Sequence, residues 1–561
     1  MKTEILLSIA LHAAGLVAVR YTVDQSPAST AGEPFDGFLS YSIEFASFPD
    51  YSGNNSNPNK FSDNLLENLG SLQGIKPYIR VGGNTQDYAL YNASLPYALN
   101  GTVDPKRSPD YPTTIHIGPS YFESYNTWPN VKFTHGFNLG LGGNNSAGWR
   151  TLIDTVPLVC KALGHDKLHY WEYGNEPDLF STSAQGPVRP PTWNESTYVE
   201  QWLNGTRKIK ELLQKHCPDL DSESEYGFLG LSFAGTNNKL KAPLTWQSGI
   251  NQDKDIKLFS THNYISGAAS PGVTLQGTLM NHTVTMRSVD NHITEYNKIL
   301  AIDPSAPPLI FGEENSLYNQ GRPGLSNTYG AALWGIDFHL YSATVNIRRV
   351  HAHMGTNYRY QPWQPIDTNI TAKGTKAPYY GSIFVAAFVG PVIKSPVSIS
   401  QIPLSSSTEA AYAAYVGSSS SLASAARTLT RIAVLNMNSY NSTVSGEGLS
   451  PLPEGELLPR PSKNYTFDLG PGAAGKVAFV RRLWANGSDA ITGITWDGWS
   501  YNFELDEGRP VRLGNVTVGE RVKVGGDGSV SVSVPDSSAV MLDFGRGEAC
   551  KRKRDLGERG L

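Results

Sequence analysis

Eight short apolar or aromatic segments alternate with helical patterns between Phe38 and His353, and this alternation constrains the fold more than any other feature. Strands that alternate with helices predict parallel β-α-β units, and eight such units predict a closed (β/α)8 TIM barrel of the α/β class. The candidate strands are Phe38–Phe45, Tyr78–Gly82, Val131–Phe137, Leu168–Gly174, Gly227–Phe233, Lys257–Tyr264, Leu309–Glu313 and Ile347–His353.

The segments between these strands have the apolar spacing of amphipathic helices. One predicted helix ends at Gly164, and another begins near Ser196, a candidate N-cap. The competing layout is a doubly wound open sheet, which usually carries a glycine-rich phosphate loop after an early strand. The segment Val81-Gly82-Gly83-Asn84 is no such loop, so the barrel is favoured.

The composition changes after about Gly381, where Ser/Ala/Gly-rich stretches such as 418–424 separate short alternating strands. This pattern predicts an all-β sandwich domain over residues 381–546, following the barrel over 38–380. The segment 19–37 is expected to add an edge strand to the sandwich, and residues 547–561 form a basic tail. The candidate sandwich strands are Ala411–Val416, Leu429–Leu435, Lys476–Val480 and Val530–Val534.

The N-terminus has the pattern of a secretory signal peptide. Lys2 precedes an apolar run from Ile5 to Val19, so we expect a signal over residues 1–18, with cleavage after Gly15 or after Ala18. Twelve N-x-S/T sequons follow along the chain, which predicts a secreted, extracellular protein that carries N-linked glycans. They lie at Asn54, Asn92, Asn100, Asn144, Asn194, Asn204, Asn281, Asn369, Asn441, Asn464, Asn486 and Asn515.

Charge and cysteine content argue against a nucleic-acid-binding protein, a membrane protein and a small disulfide-rich protein. Only 17% of residues are charged and the net charge is −4, which gives no electrostatic reason to expect nucleic acid or a membrane surface as a partner. The apolar segment 383–393 is too short to span a bilayer. Three cysteines are too few for a disulfide scaffold. Cys160 and Cys217 either pair or are two buried thiols, and Cys550 lies in the tail.

Two acidic strand ends carry the predicted chemistry. Glu176 follows the fourth strand in the segment Trp171–Asp178, and Glu313 closes the seventh strand in the segment Phe311–Tyr318. Barrel enzymes place catalytic groups at the C-terminal ends of strands, and glycoside hydrolysis needs two carboxyl groups. Asn-Glu-Pro alone is also compatible with a simple helix start. The second glutamate in register favours a catalytic pair that needs no cofactor.

Around these glutamates the sequence resembles glycoside hydrolase family 79, which contains heparanase and the fungal β-glucuronidases. The resemblance rests on Trp171-Glu172-x-Gly174-Asn175-Glu176-Pro177 and Gly312-Glu313-x-x-Ser316-x-Tyr318, and it extends over nearly the whole chain after the signal peptide. It implies that Glu176 is the general acid/base and Glu313 the nucleophile of a retaining mechanism. Glu314 is the rival nucleophile.

The resemblance also implies substrate-binding roles. Asn175 would bond the sugar 2-hydroxyl and Tyr264 would hold the nucleophile. Tyr318 and the backbone amides that follow it, as far as Gly321, would hold a uronic carboxylate, although Asn319–Pro323 departs from the Gly-Gly spacing of heparanase.

Other polar and aromatic groups have two readings each. Glu44 would contact sugar hydroxyls or stabilise the barrel, and Tyr358 would stack on sugar or pack against the second domain. We expect no metal at His351 and His353, because no third ligand follows in a recognisable pattern.

The predicted function is a secreted exo-β-glucuronidase that removes terminal glucuronic or 4-O-methylglucuronic acid from polysaccharides or proteoglycans. A heparanase-like endo-β-glucuronidase is one alternative, but it would need a cleft rich in lysine and arginine. The others are a glycosidase for neutral sugars and a catalytically inactive carbohydrate-binding protein.

Overall fold

The structure is a computed structural model that describes residues 19–143, 145–183, 185–222, 226–417 and 426–545. The predicted signal peptide, the sequon at Asn144 and the basic tail therefore lie outside the described residues. In the described part of the chain, each helix is too short or too polar to cross a lipid bilayer.

Eight parallel strands close into the barrel that the alternating pattern predicts. Strand β7 extends beyond its predicted end, so Glu313 lies within it rather than at its terminus. The barrel strands are β1 (Leu39–Glu44), β2 (Ile79–Gly82), β3 (Phe133–Phe137), β4 (Leu168–Tyr173), β5 (Phe228–Phe233), β6 (Ile256–Gly267), β7 (Leu309–Tyr318) and β8 (Val350–Met354).

The barrel strands are buried on both faces, and their side chains alternate between the helices and the barrel interior. On β1, Leu39, Tyr41 and Ile43 belong to the main apolar core. Ser42, between two of them, bonds to Arg80 inside the barrel. The barrel interior below its C-terminal mouth is therefore polar, and this places charged groups under the site.

Most of the α-helices surround the barrel. Helix α4 is capped by Asn194 in a capping box with Thr197, so the predicted N-cap at Ser196 is wrong. Gly164 interrupts α3 with a φ of 53°, where the helix was predicted to end. The helices are α1 (Phe48–Ser52), α2 (Lys60–Gln73), α3 (Ser146–Lys167), α4 (Glu195–His216), α5 (Ala242–Gln247), α6 (His282–Ile302), α7 (Tyr329–Thr344), α8 (Ala377–Val389) and, in the second domain, α9 (Phe503–Asp506).

A long insertion, residues 83–132, connects β2 to β3 without an α-helix. It contains a three-stranded sheet whose central strand is Thr114–Ile117, flanked by Ala89–Tyr91 and Leu99–Thr102. A two-stranded ribbon, Trp363–Gln364 with Gly374–Thr375, follows β8. Short 3-10 helices lie in the loops at 45–47, 84–87, 119–126, 177–179, 218–220, 444–446 and 471–473, and a π-helical turn lies at 275–279.

The C-terminal domain packs two sheets face to face. Arg20–Thr22 is an edge strand of the smaller sheet and pairs in parallel with Ser462–Asp468, which pairs with Ser529–Pro535. The larger sheet consists of the strands Val397–Gln401, Glu409–Gly417, Arg427–Asn436, Ser538–Asp543, Val477–Trp484, Thr495–Trp496, Trp499–Ser500 and Val511–Arg512, with Arg521–Lys523 paired to Val477–Trp484.

The larger sheet is buried on both faces. Along one strand, Ala411 and Ala413 belong to the core between the two sheets. Ala410, Tyr412 and Ala414 belong to the core shared with the barrel. Helix α8 packs in this shared core and ends at Val389, nine residues after the boundary at 380 suggested by composition. The barrel and the facing side of the larger sheet therefore share one continuous apolar core, and the core between the two sheets lies on the other side of that sheet.

Candidate active site

Two carboxylates meet at the C-terminal mouth of the barrel. Glu176 follows β4 and has a left-handed φ of 51°, and its N–H donates to the carbonyl of Ser232 on β5. Glu313 lies in the middle of β7 and is 5% exposed. An oxygen of each carboxylate lies within 4.8 Å of the other and of a ring nitrogen of His262. The sharp turn after β4 thus carries Glu176 over the mouth toward Glu313.

Glu313 is surrounded by donors. Its Oε2 accepts from Arg80 Nη1 at 2.6 Å and lies 3.5 Å from His353 Nδ1, while its Oε1 accepts from the Tyr264 hydroxyl at 2.6 Å. Burial alone would raise the pKa of Glu313. The charges of His353, of His262 in its protonated form and of Arg80, together with the tyrosine hydrogen bond, outweigh burial and lower this pKa to about 2. Glu313 is therefore ionised at any ordinary pH.

Glu176 has the opposite electrostatic environment. Burial and the nearby negative charge of Glu313 raise the pKa of Glu176 to about 8. Its Oε1 lies 3.0 Å from His262 Nδ1, and burial lowers the pKa of that histidine to about 4. His262 is therefore neutral near pH 7 and adds no positive charge that would ionise Glu176. The two carboxyl groups are thus held in opposite protonation states.

Arg80 connects the site to the barrel interior. It is fully buried and bonds Glu172 at 2.9 Å, Asn175 Oδ1 at 2.7 Å and Ser42 at 3.0 Å, in addition to Glu313. No role was predicted for Arg80 from the sequence. A charged residue at an inward position of the short apolar strand β2 was the signal that identifies it, because a buried arginine needs partners.

A cavity of about 410 Å³ opens above the carboxylates, a size typical of small-ligand sites. Six of the eight predicted site residues line it: Glu44, Asn175, Glu176, Tyr264, Glu313 and Tyr318. Tyr358 and Gly321 do not. Tyr358 is 1% exposed and donates to Glu44 Oε2 at 3.1 Å, and the Gly321 N–H donates to the Leu317 carbonyl. The prediction of direct substrate contact is therefore corrected for these two residues, which lie behind the cavity wall.

Glu44 and Asn175 are themselves held by neighbours. Glu44 Oε1 accepts from the Thr85 N–H at 2.8 Å, and its Oε2 lies 3.4 Å from His353 Nε2. The Asn175 N–H donates to Asp87, and its side chain donates to Asn84 at 3.1 Å. Loop β2–β3 therefore orients both groups that face the cavity floor.

The backbone after β7 forms a tight left-handed turn at the cavity rim. Asn319, Gln320 and Gly321 have φ values of 63°, 60° and 75°. Within the described residues, the N–H groups of Asn319 and Gln320 have no protein acceptor, and both residues line the cavity beside Tyr318. Successive free N–H groups in such a turn form a concave anion-binding site, a nest.

The histidines of β8 have separate partners. His351 Nδ1 contacts the carbonyl of Phe311 at 2.8 Å, whereas His353 Nδ1 lies 2.9 Å from Ser42 Oγ. Glu176, His262 and Glu313 do present three metal-type ligand atoms close together. The Arg80 guanidinium already occupies one side of Glu313 and would repel a cation there, so this cluster fits acid/base chemistry better than metal binding.

Comparisons with known proteins agree with this architecture. The C-terminal β domain of glycosyl hydrolase family 79 matches residues 411–541. A β-glucuronidase of Neurospora crassa is 63% identical over 551 residues, covering 94% of this chain and 97% of the relative. The chain belongs to glycoside hydrolase family 79. A second β-glucuronidase, from Aspergillus niger, is 51% identical over 557 residues and covers 96% and 99% of the two chains.

The fold of this family 79 glycoside hydrolase is also found in solved structures. The 4-O-α-L-rhamnosyl-β-D-glucuronidase of Fusarium oxysporum 12S superimposes with a TM-score of 0.72 at 23% identity, covering 94% of this chain and all of the other. At that identity the likeness concerns the barrel and sandwich only. The family 79 enzyme described here carries Glu176 and Glu313 in its barrel, outside the matched C-terminal domain.

Proposed function

We propose that this family 79 enzyme is a secreted, retaining exo-β-glucuronidase with Glu176 as general acid/base and Glu313 as nucleophile. The observation that carries the proposal is a pair of carboxylates with one oxygen of each within 4.8 Å of the other and with pKa values displaced in opposite directions, to about 8 and about 2. Retaining glycosidases hold their carboxyl groups about 5–5.5 Å apart, and inverting enzymes leave a wider gap for water.

The protonation states fit a double displacement. Ionised Glu313 attacks the anomeric carbon while protonated Glu176 donates its proton to the departing oxygen, and a glycosyl-Glu313 ester forms. Esterification removes the negative charge of Glu313, which is one of the two main causes of the raised pKa of Glu176. The pKa of Glu176 then falls, so it can accept a proton from the water that hydrolyses the ester.

The nest at Asn319 and Gln320 supports a uronic acid as the bound sugar. Two free N–H groups in a segment that lines the cavity together with Tyr318 suit a carboxylate. Among the described residues that line the cavity, none is a lysine or arginine, so the carboxylate would be bound by N–H dipoles rather than by a cation. The two fungal relatives above 50% identity are named β-glucuronidases, which supports the same substrate class.

The same cavity lining argues against an endo enzyme of the heparanase type. Sulfated chains need lysine or arginine along the cleft, and the described lining contains carboxylates, amides and aromatic rings instead. The insertion after β2 also contributes Asn84, Asp87 and Tyr88 to one wall of the cavity. We therefore favour removal of terminal glucuronic acid over internal cleavage.

Secretion is supported by two features of the surface and interior. Of the eleven sequon asparagines in the described residues, ten are exposed and Asn281 is half-buried, so a glycan can be attached without unfolding. Cys160 on α3 and Cys217 after α4 form a disulfide, which suits an oxidising compartment.

Release of p-nitrophenol from matched β-glucuronide, 4-O-methyl-β-glucuronide, β-glucoside and β-galactoside substrates tests the proposal. We expect turnover of the glucuronides by the wild type and a loss of at least about 10⁴-fold in kcat for Glu313→Gln. A Glu314→Gln variant is the matched comparison and should retain turnover, because Glu314 faces away from the cavity. Turnover of the neutral glycosides alone would contradict the proposed substrate.

A further inference from the structure

The nest residues have a second neighbour that does not line the cavity. Arg359, in the loop after β8, donates its backbone N–H to the Gln320 carbonyl at 2.8 Å. Its guanidinium donates to the Gly321 carbonyl at 3.1 Å and to the Asn319 carbonyl at 3.3 Å. All three carbonyls of the left-handed turn are therefore bound by one residue.

This arrangement matters because the turn is unfavourable by itself. A left-handed conformation is unfavourable for an ordinary L-residue, and Gln320, with a φ of 60°, has no special tolerance for it. Along a helical turn the N–H and C=O groups point to opposite ends. Fixing the carbonyls of Asn319 and Gln320 on Arg359 therefore directs their N–H groups to the other side, toward the cavity.

Arg359 is in turn anchored across the mouth of the barrel. Its guanidinium forms a two-pronged ion pair with Asp110 in the insertion after β2, with one contact at 3.0 Å. Within the same insertion, Asn84 donates to the Tyr111 hydroxyl at 3.0 Å, so the segment next to Asp110 is tied back to the end of β2. The turn that forms the nest is thus tied to a loop that begins on the far side of β1.

We propose that Arg359 is a positioning residue that holds Asn319 and Gln320 in the carboxylate-binding conformation, and that Asp110 fixes Arg359 in this role. The inference rests on the proposed binding of a uronic carboxylate at the nest. Arg359 acts through geometry and not through its charge, since Asp110 neutralises the guanidinium and the side chain does not line the cavity.

Kinetics of p-nitrophenyl β-D-glucuronide hydrolysis by Arg359→Ala, Arg359→Lys and Asp110→Asn test this role. We expect Arg359→Ala to raise KM at least about tenfold while kcat stays within about threefold, because a distant binding contact is lost and the two glutamates are untouched. The inhibition constant of free D-glucuronate should rise in parallel. Arg359→Lys keeps the charge but not the planar fork, and should behave more like alanine than like the wild type.

Arg482→Ala is the matched control. Arg482 lies in the sandwich, pairs with Glu520 and donates to the Ser533 carbonyl at 3.0 Å. Like Arg359, it bonds both a carboxylate and a backbone carbonyl, but it lies far from the site. Its KM should equal that of the wild type. If the melting temperature shows that Arg359→Ala does not fold, Asp110→Asn takes its place in the test. The same rise in KM and in the inhibition constant of D-glucuronate is then expected for Asp110→Asn.

Each remaining outcome is informative. An unchanged KM in folded Arg359 and Asp110 variants, or an equal fall in kcat with D-glucuronate binding unaltered, would overturn the positioning role alone. If Arg359→Lys had the wild-type KM, the positive charge of residue 359 and not the geometry of the guanidinium would explain the effect on KM. That result would also overturn the positioning role. A wild type that hydrolyses only neutral glycosides would overturn the proposed function as well, and that result is visible before any variant is compared.

Discussion

Glu313 and Glu314 are adjacent in sequence, but their side chains lie on opposite faces of β7. Glu313 lines the cavity, whereas Glu314 Oε1 lies 2.7 Å from His339 Nε2 on α7. Successive side chains of a strand alternate between its faces, so only one of the two can reach the mouth of the barrel. Glu313 is therefore the proposed nucleophile, and Glu314 anchors β7 to the helix behind it.

The dependence of kcat/KM on pH reports the protonation states of the two proposed catalytic groups in the free enzyme. The active form needs ionised Glu313, which is present above its pKa of about 2, and protonated Glu176, which is present below its pKa of about 8. We expect activity to fall as the pH rises through about 8 and to persist to strongly acidic pH, as far as the fold survives. A profile that rises between pH 6 and 9 would contradict these assignments.

Tyr264→Phe tests the hydrogen bond to the proposed nucleophile. The hydroxyl donates to Glu313 Oε1 at 2.6 Å and helps to lower the pKa of Glu313, so its loss should raise that pKa and move the acidic limb of the profile upward. Hydrogen bonds to charged groups contribute about 1.5–3 kcal/mol, which predicts a loss of about 10- to 100-fold in kcat/KM.

Tyr296→Phe is the control for this substitution, because its hydroxyl bonds the Pro307 carbonyl behind the barrel. It should leave both the rate and the acidic limb unchanged. An acidic limb that stays in place in Tyr264→Phe would contradict the electrostatic role given to that tyrosine.

Site residues that lie at strand ends or in motifs could be predicted from the sequence. Site residues that are defined only by three-dimensional contacts could not. Glu176 was identified from its position after a strand, and the role of Tyr264 was implied by the resemblance to family 79. Arg359 was not, because its relation to Gln320 depends on two loops far apart in the chain. Tyr358 was expected either to stack on sugar or to pack against the second domain. Its hydroxyl donates to Glu44, a pairing that no local pattern reveals.

Arg80 links strands rather than single residues. From β2 it bonds Ser42 on β1, Glu172 on β4 and Glu313 on β7, all inside the barrel. Replacing it with methionine would leave buried Glu172 without a positive partner and Glu313 with His353 in place of two cations, and breaking a buried pair in this way costs about 3–5 kcal/mol. We expect Arg80→Met to lower the melting temperature clearly and to abolish activity.

Arg150→Met is the comparison, because Arg150 pairs with Asp154 on the surface of α3 and its side chain is 74% exposed. Surface pairs contribute about 0–1 kcal/mol, so its melting temperature should be nearly that of the wild type. Equal melting temperatures for the two variants would contradict the structural role of Arg80.

The strands of the barrel were predictable because each is a buried apolar run, and this holds for β1 through β8. The exact residues at which the strands begin and end were less predictable. Strand β7 continues five residues past Glu313 to Tyr318, since polar residues such as Asn315 bond the neighbouring strand end through the His353 carbonyl. The sheet within the insertion, built on Thr114–Ile117, has too short a pattern to distinguish it from a loop.

At the scale of the whole molecule, barrel and sandwich are one packed unit because the larger sheet buries both of its faces. The disulfide acts at this scale too, since Cys160–Cys217 closes a loop of 57 residues between α3 and the end of α4. Loop-closure entropy predicts a stabilisation of about 4 kcal/mol for a loop of this length.

The double variant Cys160→Ser/Cys217→Ser should therefore melt several degrees below the wild type and keep its kcat, because neither cysteine lines the cavity. A reducing agent should lower the melting temperature of the wild type to that of the variant and leave the variant unchanged. A wild type insensitive to reduction would contradict this contribution.

Covalent trapping of the glycosyl-enzyme tests whether Glu313 is the nucleophile of a retaining mechanism. The enzyme is incubated with 2-deoxy-2-fluoro-β-D-glucuronyl fluoride, digested and analysed by mass spectrometry, since such a substrate forms the glycosyl ester and hydrolyses it slowly. The account predicts one label per chain, attached to Glu313 and absent from Glu313→Gln. A label on Glu314 or Glu176 would contradict the assignment of the nucleophile, and turnover that inverts the anomeric centre without any adduct would contradict the retaining mechanism itself.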